Sequence, residues 1–259
     1  MTEIKIGPAG LGPVKTAEEI LREYHKAGIK NCEIAFTYSV YIKKPEAEKI
    51  KKVAEELGIE LSIHAPYFVN LNSDDDAKLE ATKQRILKCC ERGHDIGAKS
   101  IVFHPGYYGK DREKAYDKIK EGIMELMGIV KENNWNVKLC PETMGKINVF
   151  GSVEEISRLA EETGCSFCID FAHVLARDKK VDYKKIEKLF PQKHWHCHFS
   201  GINYNEKGER NHINLENEEW RKLFDNLPKD KTLTIVCESP DTVGDSIKGL
   251  EIYKEIKCS

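Results

Sequence analysis

A chain of 259 residues with 40% hydrophobic and 32% charged residues has the composition of a soluble protein and enough apolar material for a sizeable core. Its formal net charge of −2 carries no basic signature of nucleic-acid binding, although three divalent ions would bring it to about +4. No apolar run approaches the roughly 20 residues of a membrane span. The opening "MTEIKIGPAG" lacks the basic and apolar regions of a signal peptide. Nine scattered cysteines then read as free thiols in a reducing, cytoplasmic setting. Cys165 and Cys168 form a lone CxxC at the start of a strand, without a second pair, and read as structural.

In chain order, short apolar runs alternate with charged segments of helical period. The strand candidates are "EIKIG", "NCEIAF", "LSIHAP", "SIVFHPG", "VKLCPET", "SFCIDFAH", "HWHCHFSG" and "LTIVCES". Helical stretches such as "TAEEILREYHKAGI" and "PEAEKIKKVAEELGI" separate them, several ending at a glycine suited to a C-terminal cap (Gly28, Gly58, Gly97, Gly164). Thr16 with Glu19, and Ser152 with Glu155, have the spacing of capping boxes. Eight β-then-α units predict an α/β fold, a single (β/α)8 TIM barrel over residues 1–259, in preference to a doubly wound sheet. The longer loops after the third and seventh strands are candidate functional insertions.

Side chains alternate along a strand. The bulky positions (Leu61 and Ile63, Ile101 and Phe103, Phe167 and Ile169, Leu233 and Ile235) should face the helices, leaving the smaller, more polar positions inside. The final inward residue is then His64, His104, Glu142, Asp170, His198 or Glu238 on six successive strands. Barrel active sites form at the carboxyl ends of the strands, so these six should converge on one mouth. Three carboxylates and three imidazoles in one place need cations, and the donor set suits zinc, manganese or iron rather than calcium or magnesium. His194 and His196 lie earlier on the seventh strand and read as surface or core histidines.

The ordered set "IHAPYFVNL" (63–71), "FHPG" (103–106), "PET" (141–143), "CIDFAHV" (168–174), "HCHFSG" (196–201) and "CES" (237–239) resembles endonuclease IV, the metal-dependent apurinic/apyrimidinic endonuclease family of DNA repair. The resemblance runs along nearly the whole chain. It implies a (β/α)8 barrel carrying two or three Zn2+ ions, with Mn2+ or Fe2+ as alternatives. One ion would take His64, His104 and Glu142. A second would share Glu142 and add Asp170, His198 and Glu238. A third would take His173, from the loop after the sixth strand, and His212. The implied reaction is hydrolysis of the phosphodiester 5′ of an abasic site in damaged double-stranded DNA, leaving a 3′-hydroxyl and a 5′-deoxyribose phosphate. Glu142 would bridge, Glu238 would orient the nucleophile, and the enzyme would act as a monomer with no membrane partner.

Two departures qualify the match. The family places a carboxylate two residues before its last metal-binding His. Arg210 stands there in "GERNHINL", and Glu209, one residue further away, would substitute only if the loop is rearranged, so a two-metal enzyme stays open. The family's Arg-bearing wedge after the second strand has no counterpart in "FTYSVYIKKPEAE", where Tyr41 or Lys43 would have to stand in. Tyr67 and Phe68 match a DNA-inserting loop, with plain loop packing as the alternative.

Three rivals remain. Glu142, Asp170, His198 and Glu238 alone would satisfy a single-metal sugar isomerase or epimerase of the xylose-isomerase-like superfamily. A degenerate member would keep metal for structure alone, and a phosphatase would act on small molecules.

Overall fold

The computed structural model describes residues 3–258. Strand and helix alternate around a closed ring. β1 (Ile4–Pro8) leads through a 3-10 turn into α1 (Ala17–Lys26), β2 (Asn31–Ala35) into α2 (Lys44–Leu57), and β3 (Glu60–His64) into α3 (Asp76–Ile96). β4 (Ser100–Phe103) is followed by α4 (Arg112–Glu132), β5 (Lys138–Pro141) by α5 (Val153–Thr163), and β6 (Cys168–Asp170) by α6 (Phe171–Asp178) and α7 (Tyr183–Leu189). After β7 (His194–Phe199) a hairpin, β8 (Gly201–Asn205) and β9 (Gly208–Ile213), precedes α8 (Asn217–Asn226); β10 (Thr232–Cys237) and α9 (Thr242–Cys258) complete the chain.

The barrel strands pair in parallel in the orders β1-β10-β7-β6 and β2-β3-β4-β5. Parallel bridges Ala9–Glu33 and Glu142–Cys168 join the two arcs. The fold is therefore the expected (β/α)8 barrel, with the β8–β9 hairpin added over its mouth side. Among the described residues no helix is long and apolar enough to cross a membrane.

The predicted faces are as observed. Leu61, Ile63, Ile101, Phe103, Ile169, Leu233 and Ile235 belong to the large apolar layer between strands and helices. Val102, Cys140 and Cys168 form a separate small cluster inside the barrel, with buried Ser62, Ser100, Thr234, His196 and Glu33 around the same interior. Cys165 and Cys168 are free and buried, as are six other cysteines, with Cys258 exposed. The close approach of β1 and β2 depends on Gly7, where a Cβ would stand 1.8 Å from the Asn31 carbonyl oxygen.

Gly58, Gly97 and Gly164 close α2, α3 and α5 in the left-handed conformation, and Ser152 with Glu155 forms the capping box of α5. Thr16 does not cap α1: its hydroxyl donates back to Pro13 O, because the 3-10 turn at Val14–Thr16 carries the chain into the helix without an extended N-cap.

Candidate metal centre

The six strand-end residues meet at the carboxyl end of the barrel. His64 ends β3 and Asp170 ends β6, His198 lies in β7, and His104, Glu142 and Glu238 directly follow β4, β5 and β10. Their donor atoms, with those of His173 and His212, fall into three adjacent groups, each within 4.8 Å: His64, His104 and Glu142; Glu142, Asp170, His198 and Glu238; Asp170, His173 and His212. Glu142 is the common member of the first two, and its oxygens divide the work. Oε2 lies 3.3 Å from His64 Nε2 and 3.2 Å from His104 Nε2. Oε1 lies 3.1 Å from His198 Nδ1 and 3.4 Å from His173 Nδ1.

Backbone carbonyls set which nitrogen of each ring is available. A carbonyl oxygen only accepts, so the ring nitrogen facing it carries a proton. His64 Nδ1 faces Ala65 O at 2.8 Å, His173 Nδ1 faces Thr143 O at 3.0 Å, and His212 Nδ1 faces Glu238 O at 3.1 Å. In all three rings Nε2 is left for a cation, the arrangement that metal-binding histidines show when their other nitrogen is held. Donors about 2.0–2.1 Å from a tetrahedral zinc stand roughly 3.3–3.4 Å apart. The Nε2 atoms of His173 and His212 are 3.4 Å apart.

The charges fit as well. Burial works against protonation of His64, but the Glu142 carboxylate holds its pKa up at about 9. Burial likewise opposes charge on His173 and His198. Asp170 for the former, and Cys168, Glu238, Glu33 and Glu142 for the latter, nevertheless keep both well above the usual imidazole range. Despite complete burial, Glu142 is held well below the usual carboxylate range, chiefly by His198. Burial pushes Asp170 up, with His173 pulling against it. Asp170 Oδ2 is buried without a hydrogen bond, 3.3 Å from His173 Nδ1, and a cation could take it as a donor. The donor set thus fits transition-metal ions, and uptake would displace the protons that now balance the carboxylates.

His173 departs from its expected setting. It sits not in a loop but in the first turn of α6, which begins immediately after β6. Asp170 caps that helix, accepting from His173 N at 2.7 Å. The short strand and the helix start are one device: Asp170 presents Oδ1 to the helix and leaves Oδ2 for the centre.

Glu209 lies against the third group, its Oε2 3.5 Å from His173 Nε2. The hairpin register explains how. Tyr204 pairs with Glu209 and Asn203 with Asn211, so Arg210 is an unpaired bulge residue. A bulge shifts side-chain alternation by one. It carries Glu209 and His212 to the same side while Arg210 is exposed. Glu209 N also donates to Gly145 O at 3.1 Å, docking the hairpin against the segment after β5.

A residue not anticipated from the sequence is Glu33 in β2. It is fully buried inside the barrel beneath His198, its Oε1 3.2 Å from His198 Nε2. A deeper donor group, Cys168, His196 and His198, occupies the same interior.

The mouth is a cavity of about 630 Å³, lined by His64, Tyr67, His104, His173, Glu209, His212 and Glu238 among others. Tyr67 packs on both His64 and His104, with ring centroids 5.4 Å apart in each case. Phe68 is exposed and stacks on Tyr38 at 6.0 Å. Tyr38, 76% exposed against 47% for Tyr41, is thus the more outward-facing tyrosine of the loop after β2. Tyr41 instead packs edge-on against Phe36 at 5.1 Å, and Lys43 stands at the N-cap of α2.

A family model described as "Xylose isomerase-like TIM barrel" matches residues 21–256. An uncharacterized protein of Methanocaldococcus jannaschii is 34% identical over 96% of this chain and 97% of its own length. A probable endonuclease 4 of Oceanobacillus iheyensis is 32% identical over 54% of this chain. The match spans about half of that relative, 52%. Among solved structures, endonuclease IV from Thermus thermophilus superposes with a TM-score of 0.72 at 18% identity, covering 99% of this chain and 100% of that one. A D-psicose 3-epimerase crystallised in the presence of D-fructose gives 0.66 at 18% identity, covering 96% and 90%. These two likenesses establish the shared barrel. The resemblance to endonuclease IV drawn from the motifs is borne out by relatives of that name.

Proposed function

We propose that this chain, which belongs to the xylose isomerase-like TIM barrel family, is a metal-dependent endonuclease that hydrolyses the phosphodiester 5′ of abasic sites in double-stranded DNA. The observation that carries the reading is the run of three adjoining donor groups, in which His64, His173 and His212 are held at Nδ1 by backbone carbonyls, leaving Nε2 toward the centre. A single ion needs only one such group.

His64, His104 and Glu142 would hold one ion, and Glu142, Asp170, His198 and Glu238 a second. His173, His212 and Glu209 would hold a third. Bound zinc, or manganese or iron in its place, supplies hydroxide near neutral pH and offsets charge on a phosphate undergoing displacement. The chain's own part is to place these charges and the substrate. Glu142 joins two groups through its separate oxygens. Glu238, which lines the cavity with its Oε2 3.4 Å from His198 Nδ1, would orient the attacking water. Tyr67 closes one wall over His64 and His104, and the exposed Tyr38–Phe68 stack offers a flat face to an unpaired base.

The test is incision of a duplex with one abasic site by metal-loaded protein, with Glu142→Gln as the inactive control. Incision 5′ of the lesion supports the reading, and intact DNA with fully loaded protein refutes it.

One observation favours a second reading, a single-metal sugar epimerase. Glu142, Asp170, His198 and Glu238 form a complete set without the remaining histidines. In that case Glu142 and Glu238 would move a proton beside a substrate carbonyl. Ketose epimerisation with one ion per chain would establish it.

A further inference from the structure

His198 stands between carboxylates on both sides. Its Nδ1 faces Glu142 Oε1 at 3.1 Å and Glu238 Oε2 at 3.4 Å. Its Nε2 faces Glu33, 3.2 Å from Oε1 and 3.4 Å from Oε2. The other buried or half-buried histidines of the centre whose second nitrogen is held, His64, His173 and His212, use a backbone carbonyl for it. His198, inside β7 with a paired strand on either side, has no such option. Its neighbours are Asp170 on β6 and Val236 on β10, and the ladders on both sides consume the backbone. A side chain has to do the work.

Glu33 is built for it. It is fully buried in β2, and its backbone sits at the seam where Ala9 and Gly10 join the two arcs of the barrel. Oε2 accepts from Ser62 Oγ at 2.9 Å and lies 3.3 Å from His196 Nε2. A buried carboxylate is expensive to desolvate, and an apolar side chain of similar size would ordinarily serve the fold as well or better. Here it gathers a hydroxyl and two imidazoles, one of which belongs to the centre. A cation at the mouth would displace the proton on Nδ1 of His198. The ring would then keep a single proton, on Nε2, facing an acceptor fixed to receive it.

We infer that Glu33 is a positioning residue for the metal centre. It accepts the Nε2 proton of His198 and so holds that ring with Nδ1 turned toward the group formed by Glu142, Asp170 and Glu238. Ser62 and His196 hold Glu33 in turn, which assigns a role to a histidine that looked like plain core. The inference rests on the metal reading above, but not on the identity of the substrate.

The experiment is a chelator-competition titration of the full chain with zinc, comparing wild type, Glu33→Gln and Glu33→Leu. Thermal unfolding of each metal-free protein is measured alongside. Losing an outer partner of a ligating histidine weakens metal binding about 10–100-fold. We expect that loss for one ion only, smaller for Glu33→Gln, which keeps an oxygen acceptor, than for Glu33→Leu. Nitrogen-15 spectra of the zinc-loaded wild type should show His198 with its proton on Nε2. Either of two results overturns the inference: zinc affinities in both variants equal to wild type, or all ions weakened together in proportion to lost metal-free stability. A wild-type chain that takes up no zinc overturns the metal reading itself, an outcome distinct from unchanged binding in the variants.

Discussion

Replacing Glu209 by alanine should remove one ion from the centre while leaving the barrel intact. The third donor group is Asp170, His173 and His212; the two Nε2 atoms are 3.4 Å apart, and Glu209 Oε2 stands 3.5 Å from His173 Nε2. Without Glu209 the two imidazoles keep only Asp170, which the second group also uses, and one of the negative charges that favour a dication is gone. Losing an outer partner already weakens metal binding about 10–100-fold. Losing a direct donor should cost at least about 100-fold, close to 2.8 kcal/mol. Dialysed against a weak chelator, Glu209→Ala should then carry one ion fewer per chain than wild type. The fold should hardly notice, since the docking bond of this residue is made by its backbone to Gly145 O. Arg210→Ala is the control: its side chain is exposed, and metal content should not change. The assay is metal per chain by mass spectrometry with unfolding of the metal-free proteins in parallel. Full metal content in Glu209→Ala, or loss of an ion in Arg210→Ala, would refute the bulge argument.

Gly145→Ala should damage the same site without deleting a donor, because its Cβ would lie 2.7 Å from Glu209 Cβ and 3.0 Å from His173 Cδ2; metal analysis should again show a missing ion, with unfolding near wild type. The pH response has a definite sign. His64 in the metal-free chain has its pKa raised to about 9, above the ordinary value near 6.5. Its contribution to stability is full below about pH 6.5 and is lost as pH rises through about 9. The melting temperature of metal-free protein should fall over that interval, zinc uptake should release protons below pH 9, and apparent zinc affinity should climb toward it. A flat melting profile would contradict the His64–Glu142 pairing. Phe68→Ala should weaken binding to abasic duplex by roughly 1–3 kcal/mol, the worth of one base stack, with metal content unchanged; equal binding would reduce Phe68 to loop packing. Gly7→Ala should cost about 3 kcal/mol of stability through the clash with Asn31 O, measurable by denaturant unfolding.

The barrel and most of its mouth were legible because alternation on a parallel strand is strict. Once Leu61 and Ile63 are assigned to the helices, His64 can only look inward, and the same step applied to five more strands gathers the first two donor groups. Glu33 follows the same rule, since Cys32 and Ile34 face the apolar layer. It escaped notice because it lies mid-strand, below the carboxyl end where sites are sought. The signal was there: a lone acid inside "NCEIAF", on a strand with no other charge. Glu209 was not legible in that way. Its side depends on a bulge set by pairing with the opposite strand of the hairpin, and a pattern of two-residue spacing reads Arg210 instead. The start of α6 was hidden for a related reason, because "CIDFAHV" is apolar enough to extend a strand. Only the capping bond that Asp170 accepts from His173 N decides that the helix begins there. Thr16 shows the reverse error, capping spacing without capping geometry.

The most direct test of the account is metal stoichiometry and abasic-site incision measured on one preparation. We expect two or three transition-metal ions per chain, with incision 5′ of the lesion that rises with loading and disappears in Glu142→Gln. One ion per chain with intact DNA and an epimerised ketose would contradict it.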